Sequence, residues 1–415
     1  MSDVIFDNPF RPGAGHRPPY LAGRTAEQDE MKRHLSQAVV TQNVILTGLR
    51  GVGKTVLLET FRPIALSAGW LWAGADLSES ASVTEDTLAT RILADISLVT
   101  SAFVVHERKQ MELGFVQSEK VIRQPLNYDI LRGMYEQTPG LVADKLKAVL
   151  EFVWSVLPQT AIKGVVFAYD EAQNLADHAH QNQYPLSLLL EVFQSLQRKQ
   201  IPYLLVLTGL PTLFPKLVEA RTYAERMFHI LFLRQLDSTA SRDAIVQPVQ
   251  DANCPIKFTE ETVSSIVQLS GGYPYFIQYI CKEVFDVWIA KMRSGEIPSV
   301  PTADIVRKLD TDFFQGRWSR VTDRQRELLQ VIATLESCDD EFTVQEIVSG
   351  SKEILAKGFS PSHVNQMLAS IADAGLVFKN RVGKYSLAVP LLSQFIRRQT
   401  TQAAIPIPPI PQQSK

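Results

Sequence analysis

Residues 43–55 read NVILTGLRGVGKT, and the run TVLLETFRPIAL (55–66) begins on the last of them. The first part is continuously apolar and rich in β-branched residues, the pattern of a strand buried on both faces. The last part has the spacing of an amphipathic helix. Glycines at 48, 51 and 53 let the chain turn between the two and let backbone N–H groups point inward. A strand, a glycine loop and a helix in that order bring amide donors and the positive end of the helix to one point, which is how a polyphosphate is cradled. Few architectures accommodate such a unit, and the one it predicts is an open, mostly parallel α/β sheet. Within the spacing Gly48-x-x-x-x-Gly53-Lys54-Thr55, Lys54 neutralises the outer phosphates and the Thr55 hydroxyl ligates Mg2+. The backbone of Gly48, Leu49, Arg50, Gly51, Val52, Gly53, Lys54, Thr55 and Val56 forms the cradle. ATP and Mg2+ are the expected ligands.

With 415 residues the chain is too long for one ordinary core, so two or three domains are expected. A net charge of −2 gives no global attraction to nucleic acid or anionic lipid, so any such contact must be local. Cys254, Cys281 and Cys338 lie far apart, without a disulfide framework or zinc spacing. The opening MSDVIFDNPF lacks the regions of a signal peptide, and no apolar run approaches the roughly 20 residues that span a bilayer. The expectation is a cytoplasmic protein with no membrane contact.

Texture along the chain divides it. Residues 1–20 are a Pro- and Gly-rich arm. From 21 to 236, the runs NVILT, GWLWAGADL, GVVFAYD, YLLVLTG and HILFL alternate with helical segments, a parallel sheet covered on both faces. Residues 101–140 fit neither period and read as an insertion. From 237 to 315 only helical candidates follow, with SGGYP between two of them and Pro274 at a tolerated first-turn position. From 316 to 400 come two short helices, a third opened by Ser360-Pro361 and closed by Gly375, and a hairpin turning at Val382-Gly383. That succession predicts a winged helix-turn-helix. Residues 401–415 are a Pro-rich tail, read as disordered or as a docking segment.

Two further strands carry chemistry. GVVFAYDEAQNL ends in Asp170-Glu171, at the sheet edge where such folds bind ligands. Asp170 is placed to hold Mg2+ and Glu171 to polarise the attacking water. YLLVLTGLP ends near Thr208, whose hydroxyl would sense the γ-phosphate. His178-x-His180 has the look of a metal pair but no third ligand nearby in sequence.

These elements resemble the AAA+ and STAND group of P-loop ATPases, in particular the archaeal and bacterial origin-recognition-like branch. LAGRTAEQDEM (21–31) is similar to the family's Gly-Arg-x-x-Glu box, implying that Gly23 and Arg24 help to bind adenine. YAERMFHILFL resembles the arginine-finger segment, implying that Arg226 reaches a neighbouring subunit's γ-phosphate and that the ATP-bound chain forms a homo-oligomer. Gly272-Tyr273-Pro274 looks like the Gly-x-Pro motif of the helical lid, with Pro274 near the base. PYFIQYI (274–280) lacks the lid arginine of many AAA+ proteins, which leans toward the STAND style and slow turnover.

The resemblance leaves two functions open. In one, ATP-driven conformational change or oligomerisation acts on double-stranded DNA. In the other, a regulatory scaffold recruits a separate effector protein and the winged helix packs on protein. The third helix of that module, SHVNQMLASIADAG, has no Lys or Arg, although Ser362, His363, Asn365 and Gln366 suit base edges or phosphates. The basic residues lie in the wing, at Lys379, Arg381 and Lys384, with Arg397-Arg398 following. Were all five on phosphates, the salt slope would be about −4.5.

Overall fold

The computed structural model describes the chain except for residues 1–6, 14, 112–118, 158–160, 255–256, 295–300, 382 and 404–415. Two compact units result. One comprises Arg24–Gly48 and Gly53–Leu233; the other comprises Met1–Gly23, Leu49–Val52 and Arg234–Lys415.

The first unit is built on β1 (Asn43–Gly48), β2 (Trp70–Ala73), β5 (Gly164–Tyr169), β6 (Tyr203–Gly209) and β7 (Phe228–Leu233), with the antiparallel pair β3 (Val104–Met111) and β4 (Glu119–Pro125) apart from them. The five strands form one parallel sheet in the order β2-β5-β6-β1-β7. Each of the five apolar runs in the sequence supplies one strand. β1, β5 and β6 are buried at every residue, because parallel strands with helices on both faces leave no wet side. β7 is one of the two edges, and there Ile230 and Phe232 are exposed. Helix α1 (Thr25–Ser36) precedes β1, and α2 (Lys54–Ser67) follows it. The main core is aliphatic and aromatic, with Ile92, Val149, Phe167, Phe193 and Tyr203 fully enclosed. The segment after β4 is part of this core: Leu126, Leu131 and Tyr135 are buried in it.

The second unit has a single core running from Phe10 and Ala22 to Phe395 and Ile396. Four helices (Ser238–Asp251, Glu260–Ser270, Pro274–Ser294 and Thr302–Leu309) lead into Asp323–Thr334, Val344–Ile354 and Pro361–Asp373. Strands β8 (Phe342–Thr343), β9 (Val377–Arg381) and β10 (Lys384–Leu387) make an antiparallel sheet in the order β8-β10-β9. Helix, strand, helix, helix and hairpin are the topology of a winged helix. Local sequence explains the helix starts: Ser360 accepts from the His363 N–H, and Thr343 and Glu346 form a reciprocal capping box. The N-terminal arm is irregular but docked, with Phe10 buried and Asn8 donating to the Lys282 carbonyl. A last helix, Leu392–Ala403, buries Phe395 against Phe314.

Among the described residues no helix is long and apolar enough to cross a membrane.

Candidate functional site

Gly48 closes β1 and Lys54 opens α2, so the glycine loop joins a buried strand to a helix N-terminus. Gly51 (φ +80°) and Gly53 (φ +90°) take left-handed conformations that side chains with a Cβ rarely adopt. The Lys54 ammonium donates to the Gly48 carbonyl at 3.0 Å, folding back over the loop. At the loop's tip, the Tyr275 N–H donates to the Gly51 carbonyl at 3.1 Å. Val52 is buried, Arg50 is exposed, and Val56 lies in the first turn of α2.

The acidic pair sits beside this loop. Asp170, just past the end of β5, is buried, and its Oδ2 accepts from the Thr55 hydroxyl at 2.5 Å. Its other oxygen accepts from the Glu171 N–H at 2.8 Å, and its carbonyl from the Leu77 N–H at 3.0 Å. Burial pushes the Asp170 carboxyl above its ordinary range despite those hydrogen bonds, with Glu171 and Asp76 adding to the rise.

Glu171 is exposed and holds φ +51°, a left-handed backbone costing about 1–3 kcal/mol for a residue with a side chain. That conformation turns the chain directly after the strand. Its carboxylate accepts from the Gln173 side-chain amide, and Gln173 in turn accepts from the Leu210 N–H at 3.1 Å, just beyond β6. Gln173 thus ties Glu171 to the neighbouring strand end, a positioning contact the sequence reading did not include.

Thr208 pairs in register with Leu46, and Thr47 with Gly209. Both threonines are buried, and neither hydroxyl has a hydrogen-bond partner. A buried polar atom left unpaired costs about 1–3 kcal/mol, so two at adjacent strand ends call for a polar ligand or water. Thr47 was likewise missed; its only signal was adjacency to the loop.

The other sequence candidates lie elsewhere. Arg226, in the short helix Ala224–Met227, is exposed. Phe228 pairs with Asn43 at the start of β1, so Arg226 lies toward the opposite end of the sheet from Gly48, which is roughly 17 Å away along the strand. Arg24 is buried at the start of α1 and pairs with Glu27 at 3.2 Å, joining two residues of one box. Gly23 turns with φ +62° against Ala240. Pro274 is the first residue of its helix, after Gly271 and Gly272 in left-handed conformations. The His178 ring nitrogen contacts the Ser82 carbonyl.

In the winged module Lys379 is exposed and Lys384 half-buried, while the side chain of Arg381 lies outside the described residues. Ser362, His363, Asn365 and Gln366 are exposed. Arg397 and Arg398, which follow the wing in sequence, both have partners within the protein. Arg397 donates to the Ala333 carbonyl at 2.8 Å and to the Cys338 sulfur at 3.3 Å. Arg398 donates from Nε to buried Asp310 at 2.9 Å. Both guanidiniums bind within their own unit.

Residues 311–396 match a family described as a domain of unknown function (DUF8462). No curated protein matches the chain. Among solved structures, the Walker-type ATPase PABY2304 of Pyrococcus abyssi is similar over 92% of this chain and 97% of its own, at 14% identity and a TM-score of 0.56. The Aeropyrum pernix ORC2 protein in its ADP form is similar over 95% and 98%, at 15% identity and a TM-score of 0.52. The chain shares the overall fold of these two structures. Thr55, at the start of the helix after β1, and Asp170, just past β5, meet at one end of the sheet. The likeness covers 92–95% of the chain, so it is not confined to the five-stranded sheet.

Proposed function

We propose that this chain is a Mg2+-dependent ATPase whose nucleotide state controls assembly, with double-stranded DNA as the surface it acts on. The observation that carries the ATPase part is the 2.5 Å contact between Thr55 and Asp170, one residue from Lys54 on one side and from Glu171 on the other. The residues fit the ligand. Thr55 and Asp170 would hold Mg2+, which supplies charge neutralisation when bound. The loop amides and Lys54 bind and orient the phosphates, and Glu171 positions a water and takes its proton. Thr208, with its unpaired hydroxyl, is suited to sensing the γ-phosphate. Gly23, Arg24 and Pro274 are proposed for the adenine end. Phosphate release measured with ATP, with and without Mg2+, tests the reading; release no greater than that of Lys54→Ala would overturn it.

Arg226 cannot serve this chain's own γ-phosphate from the far end of β1, so its proposed role is across a subunit interface in an ATP-bound homo-oligomer. Arg226→Ala should lose turnover, and mixing with Glu171→Gln subunits should restore part of it. Failure of the mixture to recover, or no assembly with ATP, would remove the finger role.

DNA contact rests on the wing alone once Arg397 and Arg398 are discounted. Three phosphate contacts give a salt slope of about −2.7, so one subunit binds weakly and several must cooperate. Changing Lys379, Arg381 and Lys384 to glutamate should weaken duplex binding at low salt and flatten its salt dependence. The engagement of Arg397 and Arg398 within their own unit favours a second reading, a STAND-like switch that recruits a separate effector protein. Absence of duplex binding by the wild type with ATP at low salt would select it.

A further inference from the structure

Between α1 and β7, near the start of β1 and so away from the glycine loop, three metal-ligating side chains meet. Glu30 and His34 stand four residues apart and therefore on one face of the helix. His229, the second residue of the edge strand β7, pairs in register with Val44 and faces them. Glu30 Oε1 lies 3.6 Å from His34 Nε2 and 3.6 Å from His229 Nε2, and the three donor atoms all fall within 4.8 Å of one another. The other Glu30 oxygen is taken by Arg33, which leaves Oε1 for the imidazoles. A tetrahedral ion with bonds of 2.0–2.1 Å separates its ligand atoms by about 3.3 Å, so the arrangement needs little rearrangement.

An independent observation points to a missing ligand. His34 is only 5% exposed, yet neither of its ring nitrogens has a hydrogen-bond partner. An ordinary core histidine satisfies at least one of them.

We propose that Glu30, His34 and His229 form a Zn2+ site that staples α1 to the edge strand β7, with the fourth position left to water. Two imidazoles and one carboxylate suit zinc-class transition metals and not Mg2+ or Ca2+, which prefer oxygen alone. Among the described residues this is the one such cluster.

The test is calorimetric titration of ZnCl2 into untagged full-length protein in excess Mg2+, which occupies oxygen-only sites. One equivalent should bind. Residues that only hydrogen-bond a metal ligand are typically worth ~10–100-fold in metal affinity, so His229→Gln, which removes a ligand itself, should weaken binding by at least ~100-fold. Glu30→Gln should also weaken it, while His178→Ala with His180→Ala should leave it unchanged. Melting in EDTA at the wild-type temperature would show that the His229 and Glu30 variants fold. With Co2+, the wild type should give visible bands of a tetrahedral site that the His229 variant lacks. Equal zinc uptake by wild type and His229→Gln, or loss confined to the His178/His180 variant, would overturn the proposal.

Discussion

Lys54→Ala should leave the chain folded and at least ~30-fold weaker in binding ATP, with no measurable turnover. The ammonium lies over the loop at 3.0 Å from the Gly48 carbonyl, and it is half-buried rather than part of a packed core. Removing it costs little in the free protein, because the methylene stem fills no enclosed cavity. In the complex it removes a cation that meets the outer phosphates, and losing one partner of a desolvated charge pair costs about 2–5 kcal/mol. At 1.4 kcal/mol per tenfold, the lower end already gives the stated loss. Titration with a fluorescent ATP analogue, alongside a melting curve, checks both halves. Wild-type affinity in the variant would mean that nucleotide binds elsewhere.

Glu171→Gln should behave oppositely, binding ATP with Mg2+ normally while turnover falls ~100–10,000-fold, the range lost with a general base. The amide is isosteric and accepts no proton. The left-handed backbone at position 171 is set by the strand end and by the Asp170 contact to its N–H, so it does not depend on the carboxylate's charge. Glutamine would still meet Gln173 through its side-chain oxygen. Single-turnover hydrolysis separates this from slow product release, since only the chemical step should change. Undiminished single-turnover rate would place the base at another group, with Asp76, whose backbone bridges to Asp170, the first to test.

The two variants exercise the part of the molecule that was readable in one dimension. β1, β5 and β6 are continuous apolar runs because parallel strands are covered on both faces, and each ends at a residue with chemistry on it. Lys54, Thr55, Asp170 and Glu171 could be placed because a strand end has one position in such a sheet. Ser360 and Gly375 bounded their helix through cap chemistry, which is local. What was not readable depends on partners distant in sequence. Arg398 looks like a free basic residue until Asp310, 88 positions earlier, is folded against it. His34 and His229 share no spacing that would announce a pair, and only the register of β7 on β1 brings them together. Gln173 and Thr47 were adjacent to residues that had been singled out, but their roles need the strand order. The distance from Arg226 to the loop likewise follows from register, which the HILFL run alone does not carry.

The most direct measurement is a crystal structure with a slowly hydrolysed ATP analogue and Mn2+ in place of Mg2+, read by the anomalous signal of the metal. The account expects one metal peak within bonding distance of the Thr55 hydroxyl and facing Asp170, the phosphates against the amides of residues 51–55, and Thr208 turned toward the γ-phosphate. It expects Gly23, Arg24 and Pro274 at the adenine. A nucleotide bound away from Lys54, or a metal peak with neither Thr55 nor Asp170 beside it, would contradict the central claim.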